Sequence, residues 1–259
     1  MTETTRPKRG VRAGGRAARV AARAAGLPEN ERAVRPGQSG GAYKPLTDSE
    51  CRSIYDTALT LLSEFGMGTP IPEFIEVVVP AGGWVDEHER LHFPRSLVED
   101  AVDMAAKSFT WHGFDDNRSI DVGGDRVHFG TAGAAVHMVD VDGRSYRDST
   151  LQDLHDAARI ADRLDNIHFV QRPMVPRDIP DPFEMDINTV YACVSGTRKH
   201  IGTSFTEGAF VGPALEMLHL VAGGEEAWRA RPFVSNTNCF VVPPMKFATE
   251  SCLVMEECI

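Results

Sequence analysis

The 259 residues are 42% hydrophobic and 25% charged, which is enough apolar material for a packed core and ordinary for a globular chain. No run approaches the ~18 consecutive apolar residues of a membrane helix, so no membrane partner is expected. Charge is uneven: residues 1–25 hold seven basic side chains and one acid, a net of +6, so the remainder carries −16 against the chain's −10, which argues against nucleic acid as a partner.

The basic head places Arg9, Arg12, Arg16, Arg19 and Arg23 at steps of three and four, one stripe on a helix. Three readings stay open: a nucleic-acid arm, an Arg-rich transit peptide, or a solvated basic tail, with the tail favoured because Gly10, Gly14 and Gly15 weaken a helix. The stretch 35–45 reads as a linker, so 1–45 is expected to be a disordered tail and linker. Five cysteines at wide spacings, with no C-x-x-C, read as reduced thiols in the cytoplasm.

A helix is expected over 48–65, capped by the T-x-x-E spacing of Thr47 and Glu50 and stopped at Gly66. A hairpin over 82–94 turns near 87–89. A second helix, about 95–107, should bury Leu97, Ala101, Met104 and Ala105. Together 46–124 form an N-terminal helix and hairpin cap.

From 125 the rhythm becomes strand then helix. Strand 127–130 is followed by a hairpin turning at Asp142-Gly143, then by a helix over 150–164 with Leu151, Leu154, Ala158, Ile160, Ala161 and Leu164 apolar. Strands starting at 167, 200 and 233 alternate with helices at 183–195, 208–222 and from about 246. These are about four βα units of a parallel sheet. The last helix is still periodic at Ile259, so 125–259 is expected to be the first half of a TIM-type (β/α)8 barrel.

Ligands in such folds bind at the carboxyl ends of strands. Those ends are small and polar, making Thr131, Gln171, Thr203, Phe205 and Asn236 candidate substrate contacts. Ordinary turn chemistry explains the same residues. Trp111, Phe205 and Phe240 could face a cationic amine, although core packing is the commoner role for an aromatic ring. The nine histidines lack metal-ligand spacing, so no metal is expected, and His168 and His200 fall at strand starts, away from the catalytic end. Phosphate-cradling and nucleophile-elbow motifs are absent.

The run VHFGTAGAAVHMVDVDGRSYRDSTLQDLHDAARIADRLDNIHFVQRPMVPRDIP resembles the trimethylamine–corrinoid protein methyltransferase family. So do TRKHIGTSF, GGEEAWRARPFVSNTNCFVVPPMKF and the helix ending LLSEFGM. The resemblance spans about 44–259 and leaves the basic head outside. It implies an α/β barrel with an N-terminal helical addition. It also implies methyl transfer from trimethylamine or a quaternary amine such as glycine betaine to a corrinoid protein. No cofactor is then expected on this chain, because the cobalamin-type corrinoid sits on the partner protein. Family members are roughly twice this length, and pyrrolysine, where present, lies in the other half. Catalytic residues cannot be assigned from these residues. Two expectations stand: an amine methyltransferase, or a non-catalytic truncated remnant that is stable only as an oligomer or with a complementing half.

Overall fold

The computed structural model describes Val20 and residues 37–259. The basic head, with its three readings, therefore lies outside the described residues, Val20 excepted. Residues 35–45 are not wholly linker: β1 (Gln38–Ser39) pairs antiparallel with Arg126–Val127, and Gly40 N–H donates to the Asp125 carbonyl at 2.7 Å. The composition suggested a loop because a two-residue strand leaves no periodic signal.

Helix α1 (Asp48–Thr60) starts with the expected capping box, Thr47 and Glu50 each satisfying the other's backbone donor. It continues as one wide turn over Leu61–Phe65 that ends at Gly66. Its apolar stripe is nonetheless mostly exposed, with Leu59 the buried member of α1. A further helix, α2 (Pro72–Val78), was not anticipated, since its apolar residues form a continuous run without a clear period. The expected hairpin is β2 (Trp84–Val85) with β3 (Leu91–His92), turning through Glu89. Helix α3 (Arg95–Met104) follows, and here the expected buried face fails at Met104, which is 81% exposed.

The hairpin β4 (Ser108–Trp111) and β5 (Ile120–Gly123) fastens this layer to the rest. Arg198 pairs with Asp115 at 2.6 Å and lies over the Phe114 ring, and Arg231 pairs with Asp116 at 2.6 Å. Strand β6 (Arg126–Val127) leads to the hairpin β7 (His137–Val139) and β8 (Tyr146–Asp148), with its turn at Asp142-Gly143 as expected.

Helix α4 (Leu151–Arg163) is capped by Thr150, whose hydroxyl accepts from Asp153 N–H while Asp153 returns the bond. Leu154, Ala158 and Ala161 are its buried face, whereas Ile160 and Leu164, expected to share it, are exposed. Strand β9 (Val170–Gln171), helix α5 (Pro182–Gly196), strand β10 (Ile201–Thr203), helix α6 (Val211–Ala222), helix α7 (Glu225–Ala230) and strand β11 (Val234–Asn236) then alternate. Gly223 ends α6 in the left-handed conformation. The closing hairpin β12 (Val241–Val242) and β13 (Lys246–Phe247) displaces the last helix, α8, to Thr249–Glu257 rather than about 246.

β9, β10 and β11 form a parallel sheet with neighbours in chain order. The segment 127–130 joins its outer edge through a single parallel bridge, Gly130 to Phe169, rather than as a full strand. The fold is therefore mixed α/β with one three-stranded parallel sheet and several hairpins. No closed barrel is present among the described residues, and the four regular βα units expected reduce to three strands and a bridge. Helices α4 to α7 pack on one face. Ile201 sits with Leu154, Ala192 and Cys193, Val170 with Ala158 and Ala161, and Phe233 with Val190, Leu218 and Trp228. None of the described helices is long and apolar enough to cross a membrane.

Candidate functional site

Strand alternation decides which residues can share a site. Val170 and Ile201 are register partners, and both pack against helices. Their neighbours Gln171, Gly202 and Ser235 are also aligned with one another, and alternation turns them to the opposite face. At the amino edge this second face is closed: the Trp111 ring stacks on His200 with centroids 4.9 Å apart and meets Phe169 edge-on at 5.1 Å. His200 is held between the His112 carbonyl and the Ser235 hydroxyl, each at 2.9 Å. The nitrogen facing the carbonyl carries the proton, and the Ser235 hydroxyl donates to the other. Burial drives the ring's pKa down to about 4, so it is neutral at physiological pH and serves packing. Trp111 is likewise committed to His200 at the closed edge.

At the carboxyl edge the same face is polar. The Thr131 hydroxyl donates to the Gln171 carbonyl, tying the loop after Gly130 to β9. The Gln171 side chain crosses β10 over Gly202, where an added Cβ would collide with its amide oxygen. It ends 3.5 Å from the hydroxyl of Thr237, just past β11. Gln171 and Thr237 thus meet on this face, and Thr131 is tied to it through the β9 backbone. Thr237 is not among the five candidates, because position at a strand end alone does not say which face a side chain presents.

The other three predicted residues lie on the helix-covered side. Thr203 and Asn236 are register partners, and with Phe205 they line a cavity of about 380 Å³ against α6 and α7. The five sequence candidates are therefore divided between two faces of one sheet rather than gathered in one pocket.

Charged and nucleophilic groups are few here. Asp186, on α5, is buried, and one oxygen accepts from Thr206 N–H at 2.6 Å, fixing the loop after β10. Burial raises its pKa, and the nearby Arg172 offsets part of that rise. The Cys193 thiol is pushed up to about 12 by burial and is no nucleophile. Among the described residues no group of three His, Cys, Asp or Glu side chains could hold a metal ion. What remains suits binding: neutral hydrogen-bonding groups on one face of a parallel sheet, at its carboxyl edge.

Gly202 gives a direct test of that arrangement. Gly202→Ala should destabilise the fold by about 1–3 kcal/mol, the usual cost of overpacking. Adding Gln171→Ala should restore most of the loss, because the clash partner is gone. Denaturant midpoints of the two single variants and the double variant measure this.

A parallel sheet with helices on one face and a polar carboxyl edge on the other defines the class: a mixed α/β protein. Within that class, the chain matches the model of the trimethylamine methyltransferase (MTTB) family over residues 12–259 and belongs to that family. The match begins inside the basic head, so the expectation that the head stands apart is corrected from residue 12 onward. The chain is 30% identical over 199 residues to trimethylamine methyltransferase MttB of Desulfitobacterium hafniense strain DCB-2, covering 76% of this chain and 40% of that protein. It is 27% identical to glycine betaine methyltransferase of Desulfitobacterium hafniense strain Y51, covering 82% and 43%. Against trimethylamine methyltransferase MttB1 of Methanosarcina mazei the identity is 26%, covering 81% and 43%. The chain thus spans about two fifths of the length of the curated relatives it matches.

Proposed function

We propose that this chain supplies the amine-seating side of a methyltransferase that moves a methyl group from a methylated amine to a corrinoid protein. The observation that carries the reading is the family match over residues 12–259. The substrate is trimethylamine or a quaternary amine such as glycine betaine. The chain's own site holds no group that decides between them. The fold reading that goes with it is the first half of a (β/α)8 barrel. In support, segment 127–130, β9, β10 and β11 are parallel neighbours in chain order with helices on one face.

The face bearing Gln171 and Thr237 is then the inner one, with Thr131 beside it at the carboxyl edge, and these residues orient the amine by hydrogen bonds and dipoles. The partner's corrinoid supplies the cobalt nucleophile. The residues here hold the methyl carbon in line with it, so their contribution is orientation. Thr203, Phe205 and Asn236, proposed from the sequence as substrate contacts, would act only through the strands they support. Five free cysteines accord with a reducing, cytoplasmic setting.

The second reading, a non-catalytic remnant that is stable as an oligomer or with a complementing half, draws on the edge of β11, which no described strand pairs. The test is demethylation of each amine by the purified chain with a corrinoid protein, read as dimethylamine or dimethylglycine formed. Product made in proportion to the chain supports the enzyme. Amine binding without product, with a dimer in solution, supports the remnant. In either case Gln171→Leu should weaken amine binding by about fivefold to tenfold, the loss of one hydrogen bond from the Gln171 amide to the trimethylamine nitrogen or to the carboxylate of glycine betaine.

A further inference from the structure

The cavity of about 380 Å³ on the helix-covered side of the sheet is unused by the amine reading. Its walls come from Val211, Ala214 and Leu218 of α6, Trp228 of α7, and the carboxyl ends of β10 and β11. Most of that lining is apolar. The polar members are Arg229 of α7, Cys258 just past α8, and the sheet wall, where Ser235 adjoins and register places Thr203 beside Asn236.

Thr203 is only 1% exposed, yet its hydroxyl oxygen has no hydrogen-bond partner among the described residues. The Asn236 side-chain oxygen is buried and equally without one. Two adjacent polar atoms left bare in an apolar wall cost stability, and a donor arriving from the cavity recovers it. Charge on the ligand is disfavoured, since the rim guanidinium of Arg229 is already paired with Glu225 at 2.8 Å and no other charged side chain lines the space. The volume falls near the small end of ordinary ligand pockets. Phe205 and Trp228 offer ring faces to a flat apolar body.

We propose that this cavity binds a small, neutral, mainly apolar molecule carrying one N–H or O–H donor, directed at Thr203 and Asn236. The site lies across the sheet from Gln171 and does not depend on the amine reading. A ligand there would stiffen the ends of β10 and β11, whose other face carries Gly202 and Ser235.

Matched probes test it on the unaltered chain. Indole and N-methylindole share a body, but only the first has a donor. Phenol and anisole form the same contrast. Ligand-observed NMR titration should show indole and phenol binding about tenfold tighter than their methylated counterparts, the worth of satisfying a buried acceptor. The pair Thr203→Val with Asn236→Leu should erase that preference while leaving the apolar contacts. Ala214→Leu, which fills the cavity from α6, should remove binding of all four. Trimethylamine should not displace indole. Failure of both donors to bind, equal binding of donor and methylated probes, or binding that persists in Ala214→Leu would each overturn the proposal. The comparison on the unaltered chain stands whether or not the variants fold.

Discussion

Replacing Lys199 with Met should lower the stability of this protein by about 1–3 kcal/mol, the range for leaving a buried acceptor without its donor. Lys199 is fully buried, and its ammonium donates to the carbonyls of Ala161, Leu164 and Ile167, all within 2.8 Å. These carbonyls belong to the last turn of α4 and the loop into β9, where backbone N–H groups reach those of Ala161 and Leu164 but not that of Ile167. Three donors on one tetrahedral nitrogen meet three converging acceptors, so this lysine closes the helix end. Burial lowers its pKa to about 8, which still leaves it protonated at pH 7. Met fills much of the stem volume but leaves the Ile167 carbonyl bare, while those of Ala161 and Leu164 keep only the backbone N–H groups of Leu164 and Ile167. Arg should fail to rescue, because its planar fork cannot aim donors at one converging point. Urea denaturation of the wild type, Lys199→Met and Lys199→Arg measures the loss. A midpoint for Lys199→Met within experimental scatter of the wild type would remove the clamp from the account.

Lys199 also shows what could not be seen in the linear chain. Nothing in TRKHIG marks it as buried, because its partners are backbone carbonyls 32 to 38 residues away. Features made within one turn were legible: the capping box at Thr47 and the Asp142-Gly143 hairpin. Periodicity located α4, α5 and α6 but overstated burial, since Met104 and Ile160 lie on an apolar stripe and still face outward. A stripe says which side of a helix is apolar, and the neighbours decide how much of it is covered. The site was legible in position but not in side. Choosing residues at strand ends placed Gln171 and Thr203 in one group. A shift of one residue along a strand turns a side chain to the other face, so the two are separated by a sheet. The packing of Ile201 on Cys193 supplies the missing parity, and that contact is tertiary.

Acidification should weaken the fold between pH 6.5 and about 4, with the loss approaching about 3 kcal/mol at the lower end, and His200 should be the main cause. Burial holds its folded pKa near 4, against 6.5 for an ordinary histidine. Between those values the unfolded chain takes up a proton that the folded chain refuses, so stability falls as pH falls. Above pH 6.5 both states are neutral and the term vanishes. Protonation in place would put two donors on a ring whose neighbours are the His112 carbonyl, which accepts, and the Ser235 hydroxyl, which would have to turn round. It would also bury a charge under Trp111. The carboxylates held low by partners, such as Asp153 beside Arg147 and Asp115 beside Arg198, lose their contribution only at more acid pH. Asp186, whose pKa is raised by burial, works in the opposite sense, favouring the folded state as pH falls. The difference between the wild type and His200→Gln therefore isolates the histidine. Chemical denaturation from pH 7.5 to 4.0 should give converging slopes above pH 6.5 and a markedly flatter curve for the variant below it. Parallel curves through the whole range would show that this ring titrates near its ordinary value and that the closed amino edge of the sheet is open to water.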